Sequence, residues 1–119
     1  MSTNLGEDLK DSLEKFAKDC NSNERLMVMN KDWNRVIHVC ASDIKCDYTL
    51  VSKDGSISLT PGKPSSADMV VQSSAEILTS VFYGEVSPNE PYNEGTLRVQ
   101  GSEQDVLRLD FITAMLWEE

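Results

Sequence analysis

The 119-residue chain carries 11 Lys and Arg against 20 Asp and Glu, a net charge of −9. That field repels nucleic-acid phosphates and anionic membrane surfaces, no Lys/Arg block reverses it locally, and its plain consequence is solubility. With 39% apolar and 26% charged residues, the composition is that of one ordinary domain spanning the whole chain, and no stretch approaches the roughly 20 apolar residues of a membrane-spanning helix.

The first residues, MSTNLGEDLK, have no basic region followed by an apolar run, so no secretory signal is expected. The final MLWEE is not a peroxisomal address. Cys20, Cys40 and Cys46 make an odd count. Without a signal peptide, that favours free thiols in a reducing compartment, and a cytoplasmic location is expected.

Leu5, Leu9, Leu13, Phe16, Ala17 and Cys20 recur at helical spacing, with charged residues between them. Asn4 with Glu7 forms a capping-box-like start, and Asn21 with Glu24 repeats that spacing before a short second helix over RLMVMN. Beyond Trp33 the pattern changes to strands. RVIHVCA (35–41) is β-branched and apolar on both faces, which suits a central strand. Ile44, Cys46, Tyr48 and Leu50 alternate with polar residues, so the second strand has one wet face. The turn at Lys53-Asp54-Gly55 returns a third, antiparallel strand with Ile57 and Leu59 inward.

A loop over 61–66 leads to a fourth strand over 67–72 with Met69 and Val71 on one face. Ser73 is expected to cap the next helix, with Glu76 at the capping-box position. Ile77, Leu78, Val81 and Phe82 form its buried stripe, and Gly84 sits where a left-handed closing glycine belongs. SPNEPYN reads as a Pro-rich turn. A fifth strand over 95–100 points Leu97 and Val99 inward. Ser102 then caps a last helix whose first turn holds Asp105. The order α-α-β-β-β-β-α-β-α is an α+β pattern.

The second half, from ADMVVQ onward, carries a specific spacing. An Asp-started strand (68–72), a capped helix ending at Gly84 and a turn at Pro88 follow in order. Tyr92 then stands three residues before Gly95, and TLRVQ (96–100), Gly101 and a closing helix complete the set. In this it resembles the sterol carrier protein 2 family of lipid-binding domains. The first half agrees more loosely, through its opening helix, the Trp33-Asn34 lead-in and the Asp54-Gly55 hairpin. The resemblance covers nearly the whole chain, and no single residue is diagnostic.

The resemblance implies a five-stranded, mostly antiparallel sheet with helices packed on one side and an apolar cavity between. It also implies binding of sterols, fatty acids, acyl-CoA thioesters or isoprenoid-type ligands, alone or as a domain of larger enzymes. Two departures stand out. Ser102 occupies a position where the family often has Asp or Asn, and the chain ends at Glu119, where longer relatives continue to a peroxisomal signal. The expectation is therefore the general lipid-binding fold, without a peroxisomal sterol-carrier role.

The last helix is apolar nearly all round: at about 100° per residue, Val106, Leu107, Leu109, Phe111, Ile112, Met115, Leu116 and Trp117 cover most of the circle. Such a helix needs cover on two sides. The sheet supplies one; the other falls to the first helix, a ligand or a partner. Met27, Met29 and Met115 suit irregular apolar ligands as well as ordinary core gaps. Met27, Met29, Trp33, Phe82, Phe111, Met115 and Trp117 are accordingly the expected wall or rim of a ligand site.

Reactive chemistry is sparse. His38, Cys40 and Cys46 suggest a metal site only weakly, with one histidine and no C-x-x-C. His38 with Asp43 or Asp47 is a formal general base, yet nothing sets up a triad or oxyanion hole. No catalytic residue, cofactor or metal is expected. The leading expectation is carriage of an apolar small molecule or lipid. The alternative is an interaction module whose last helix docks a second copy or a partner enzyme.

Overall fold

A computed structural model describes residues 5–117. The first helix, α1 (Leu5–Asn21), buries Leu9, Leu13, Phe16, Ala17 and Cys20, the single stripe that helical spacing dictates. Asn4, its expected cap, lies outside the described residues. The second helix, α2 (Glu24–Met29), is capped by Asn23, whose side chain accepts the Leu26 N–H. Asn21, expected in that role, instead clamps the backbone of Ile57: its amide donates to the Ile57 carbonyl and accepts the Ile57 N–H, each at 2.8 Å.

The strands are β1 (Arg35–Ala41), β2 (Cys46–Lys53), β3 (Ser56–Pro61), β4 (Met69–Ser73) and β5 (Arg98–Gln100), in the order β3-β2-β1-β4-β5. β1 is central, as its two apolar faces require. It pairs antiparallel with β2 and parallel with β4. The β2–β3 and β4–β5 pairs are antiparallel, so the sheet is mixed and mostly antiparallel. Asp68 helps dock β4 on β1: its N–H donates to the Val36 carbonyl and its carboxylate accepts the Val36 N–H, both at 2.8 Å. β2 begins at Cys46 and not at Ile44, because Lys45 turns the chain at φ 52°. Asp54 and Gly55 have φ of 53° and 89°, the sign pattern of a type I′ hairpin. A Cβ on Gly55 would lie 2.5 Å from the Met27 carbonyl oxygen, so glycine also seats this turn against α2.

Register sorts the two faces. Ile37, Val39 and Ala41 align with Leu50, Tyr48 and Cys46 on one side and with Met69, Val71 and Ser73 on the other. This inner face shares one apolar core with α1, with Leu26 of α2, and with the helices that carry Leu78 and Ile112. His38, Cys40, Asp47 and Thr49 alternate onto the outer face.

Helix α3 (Ala75–Phe82) is capped by Ser74, whose hydroxyl accepts the Ile77 N–H. Ser73, expected as that cap, ends β4 and donates to the Thr96 carbonyl at 2.8 Å. Gly84 follows at φ 79°, the expected left-handed stop. The Pro-rich segment is a helix rather than a turn: α4 (Asn89–Glu94) closes on Gly95 at φ 82°. Pro91 lies in its first turn, where a missing N–H breaks no helical hydrogen bond. The last helix is α5 (Glu103–Trp117), with Ser102 accepting the Asp105 N–H at 3.1 Å as expected. No helix among the described residues is long and apolar enough to cross a membrane.

Candidate ligand-binding site

Helix α5 is held at both ends by different chemistry. Near its start, the buried Asp105 carboxylate accepts Trp33 Nε1–H at 2.9 Å and Arg35 Nε–H at 3.0 and 3.1 Å. Burial acts to raise the Asp105 carboxyl, but the hydrogen bonds from Trp33, Arg35 and Ser102 and the Arg35 charge outweigh it and hold it below the usual value. One turn on, Arg108 donates to the Met29 carbonyl at 2.8 Å and stacks over the Trp33 ring at 5.6 Å. At the other end, Ile112 is fully buried, and the Trp117 ring lies 5.9 Å from Phe16, itself edge-on to Phe82 at 5.1 Å.

Between these anchors α5 bridges a gap over the short side of the sheet, leaving a cavity of about 290 Å³. Val71 of β4, with Leu97 and Val99 of the β5 segment, forms its floor. Val81 and Phe82 at the end of α3 form one wall, and Val106, Leu109, Asp110 and Thr113 of α5 the facing wall. Pro88, Asn89 and Tyr92 of α4 close one end. Leu107 and Tyr92, which are 60% and 49% exposed, stand at the rim. A recess of about 100 Å³ continues past Pro88, Asn89, Asp110 and Thr113 to Gly84 and Trp117. Trp117 Nε1 is buried with no hydrogen-bond partner among the described residues. The cavity lining is mostly apolar, the recess has Ser87, Asn89 and Thr113 as polar neighbours, and among the described residues Asp110 is the one charged residue lining either.

The expected site residues disperse over this region. Phe82 lines the cavity and Trp117 the recess. Met29 and Phe111 line a shallow open groove on the outside of α5, next to Leu107 and Arg108. Trp33 is buried in the core with its indole N–H committed to Asp105. Met115 packs against the core cluster, and the Met27 backbone abuts the hairpin at Gly55. The floor and facing wall were not singled out from sequence as ligand contacts. The available signal was the inward pair Leu97 and Val99 on the strand expected over 95–100, which the structure confines to Arg98–Gln100.

The outer face holds a polar cluster. His38 Nε2 and Asp47 Oδ1 are 2.7 Å apart, and His38, Cys40 and Asp47 offer ligand atoms within 4.8 Å of one another. Asp47, not Cys46, joins His38 and Cys40, because pairing opposite Cys40 puts Asp47 on their face and Cys46 on the inner one. Asp43 accepts the Ala75 N–H instead. Burial pushes the Cys40 thiol up, aided by its hydrogen bond to Asp47 and that carboxylate's charge. The His38 hydrogen bond chiefly, with Cys40 and Lys63, holds Asp47 down against burial. A thiol kept protonated is a poor nucleophile and metal ligand, and these groups satisfy one another. Burial likewise pushes Cys20 up to about 12.

Structural comparison places this architecture among known proteins. A sterol carrier protein domain 2 from Helicoverpa armigera superposes with a TM-score of 0.65 at 17% identity, covering 91% of this chain and 90% of that one. The UbiJ-SCP2 ubiquinone synthesis protein gives 0.65 at 16% identity over 87% and 85% of the two chains. The stereoselective inverting sec-alkylsulfatase Pisa1 from Pseudomonas sp. matches with a TM-score of 0.61 at 16% identity, but the 78% of this chain that aligns spans only 14% of that enzyme. At such identities the likeness is one of fold. Comparison with curated proteins by sequence finds no match. The SCP-2 sterol transfer family model matches residues 11–113, and the chain belongs to that family.

Proposed function

We propose that this protein binds and carries a lipid whose apolar part occupies the cavity between β4–β5, α3, α4 and α5. The observation that carries the reading is an open, apolar cavity of about 290 Å³ in a member of the SCP-2 sterol transfer family. That volume sits at the lower edge of the roughly 300–1,000 Å³ range of ligand sites. It takes an acyl or prenyl segment of about ten water-sized groups at roughly 30 Å³ each. A larger ring system has to extend past the rim at Leu107 and Tyr92.

Burying about 300 Å² of ligand surface gains roughly 7 kcal/mol gross at about 25 cal/mol per Å². Ordering takes back several kcal/mol, which leaves micromolar to submicromolar affinity when a few polar contacts assist. The proposed walls are Val71, Phe82, Leu97, Val99, Val106 and Leu109, with Trp117 at the recess. Met29 and Phe111 extend the apolar surface outside the rim; Met27, Trp33 and Met115 act as support. Carriage, not catalysis, is the proposed activity, in a cytoplasmic setting consistent with the free thiols Cys20, Cys40 and Cys46.

Native mass spectrometry of the purified protein, followed by solvent extraction, tests this. A discrete bound lipid, acyl chain or isoprenoid is expected. A protein that stays apo and takes up no added fatty alcohol, fatty acid or sterol refutes it. A second reading rests on a separate observation: Val28, Leu107 and Phe111 are 76%, 60% and 54% exposed. A surface of that kind suits a second copy or a partner enzyme. Sedimentation separates the two, since a tight dimer abolished by Phe111→Glu supports docking and a monomer removes the second-copy form.

A further inference from the structure

We infer that Asp110 makes the cavity selective for neutral, hydroxyl-bearing lipids over carboxylates; the inference rests on the cavity being the lipid site. The argument begins with what lines the space. Asp110 borders both the cavity and the recess, and among the described residues no Lys, Arg or His lines either. The sequence deepens the asymmetry: from Pro64 to Leu97 there is no basic residue, while Asp68, Glu76, Glu85, Glu90 and Glu94 are acidic. That span includes α3 and α4, which close the site.

The polar contacts on offer sort ligands by head group. The Asp110 backbone carbonyl accepts Thr113 Oγ1–H at 2.9 Å, and its carboxylate makes no ion pair among the described residues. An ionised carboxylate accepts hydrogen bonds and cannot donate. Asp110 is exposed, so water screens its charge in part, but two anions at one mouth still repel, and no cation among the described lining residues offsets them. A hydroxyl differs in that it donates to a carboxylate and still accepts through its lone pairs. Asp110 supplies the acceptor, Asn89 and Tyr92 on the same lining carry neutral donor groups, and the buried, unpaired Trp117 N–H lies beyond them in the recess. Acyl-CoA and free fatty acid anions are disfavoured by the same charge. Asp110, exposed at the mouth, is therefore a specificity-determining residue.

Calorimetric titration of the full chain with 1-decanol and with decanoate at pH 8 tests the inference. These chains match the cavity and differ only in the head. The native protein is expected to favour decanol several-fold, the scale of an exposed charge interaction. Because an apolar cavity favours the alcohol to some degree on hydration alone, the decisive reading is the ratio in variants. Asp110→Asn, which keeps the shape, is expected to shrink the decanol-to-decanoate ratio several-fold, and Asp110→Lys to invert it; circular dichroism verifies that both remain folded. Native protein that binds decanoate as tightly as decanol, or a ratio unmoved in both variants, overturns the role of Asp110 and leaves the cavity as the lipid site. Absence of binding by either compound sinks the cavity reading and this inference with it.

Discussion

Replacing Gly84 by alanine is the sharpest test of how α3 and α5 meet behind the cavity. Gly84 has φ 79°, and a Cβ there would lie 2.6 Å from Cδ1 and 2.8 Å from Nε1 of Trp117. The indole is not free to retreat, since its ring faces Phe16, which is locked edge-on to Phe82. A left-handed alanine costs roughly 1–2 kcal/mol. Overpacking against a confined ring adds roughly 1–3 kcal/mol. Gly84→Ala should thus lose about 2–5 kcal/mol, a large share of the roughly 5–15 kcal/mol that a domain of this kind has. The assay is urea unfolding followed by circular dichroism, run in the native background and again with Trp117→Leu. Leucine frees the space over Gly84, so the alanine there should cost only its backbone part, roughly 1–2 kcal/mol. The double-mutant cycle should therefore show a coupling of about 1–3 kcal/mol. Equal costs in the two backgrounds would refute the reasoning, because the contact with Trp117 would then contribute nothing.

Asp105→Ala strips the partner from the buried Trp33 indole and from Arg35, and a loss of about 2–4 kcal/mol in urea unfolding is expected. The same carboxyl predicts a pH dependence. Its folded pKa is lowered, so the folded state binds its proton less readily than the unfolded chain does. The stabilisation is then complete above the ordinary carboxylate pKa of about 3.9 and is lost as pH falls through the lower folded value. The stability gap between native protein and Asp105→Asn should be flat from neutral pH down to about 5 and shrink below about 4, as acid titrations of both proteins would reveal. Val99→Trp fills the cavity from its floor, and decanol affinity should fall at least about tenfold while the helical signal in circular dichroism is kept. Leu107→Glu, on the rim and 60% exposed, should change unfolding free energy by less than about 0.5 kcal/mol, and a larger loss would mean the residue is covered.

What the sequence made legible was mostly local. Asp54-Gly55 announced its turn because few residue pairs accept two positive φ values. Alternation from Ile44 to Leu50 marked one face of the second strand as wet because side-chain direction in a strand has period two, whereas 35–41, apolar on both faces, indicated a central place without telling its faces apart. The short helix α4 escaped because two prolines in SPNEPYN read as a turn, whereas Pro88 precedes the helix and Pro91 falls in its first turn, both where an N–H is dispensable. Ser73 and Ser74 are adjacent and equally good caps by type, so the choice between them was settled by tertiary structure, where Ser73 reaches the Thr96 carbonyl. The neighbouring of β1 and β4 depends on Val36 and Asp68, far apart in the chain, and no local preference encodes it. Apolarity and the position implied by the family resemblance nominated Trp33 for the site. Its N–H needed a buried acceptor, and Asp105, noted for the helix dipole, was that acceptor.

The cavity is a consequence of how α5 is held. Its polar anchor at Asp105 and Arg108 ties the start of the helix to α2 and β1, and its apolar end at Ile112 and Trp117 is embedded in the core with Phe16. Neither anchor reaches the intervening stretch around Leu109 and Asp110. Below that stretch, β5 is only three residues long, and Leu97 and Val99 line the floor of the cavity opposite the helix. A core under ordinary packing closes such a gap by sliding the helix inward. Here a slide would break the Asp105 hydrogen bonds at one end or displace the Trp117 ring from Gly84 at the other. The two anchors therefore hold the gap open, and α5 is apolar on nearly every side because one face meets the core, another the cavity, and a third, at Leu107 and Phe111, lies beside its mouth.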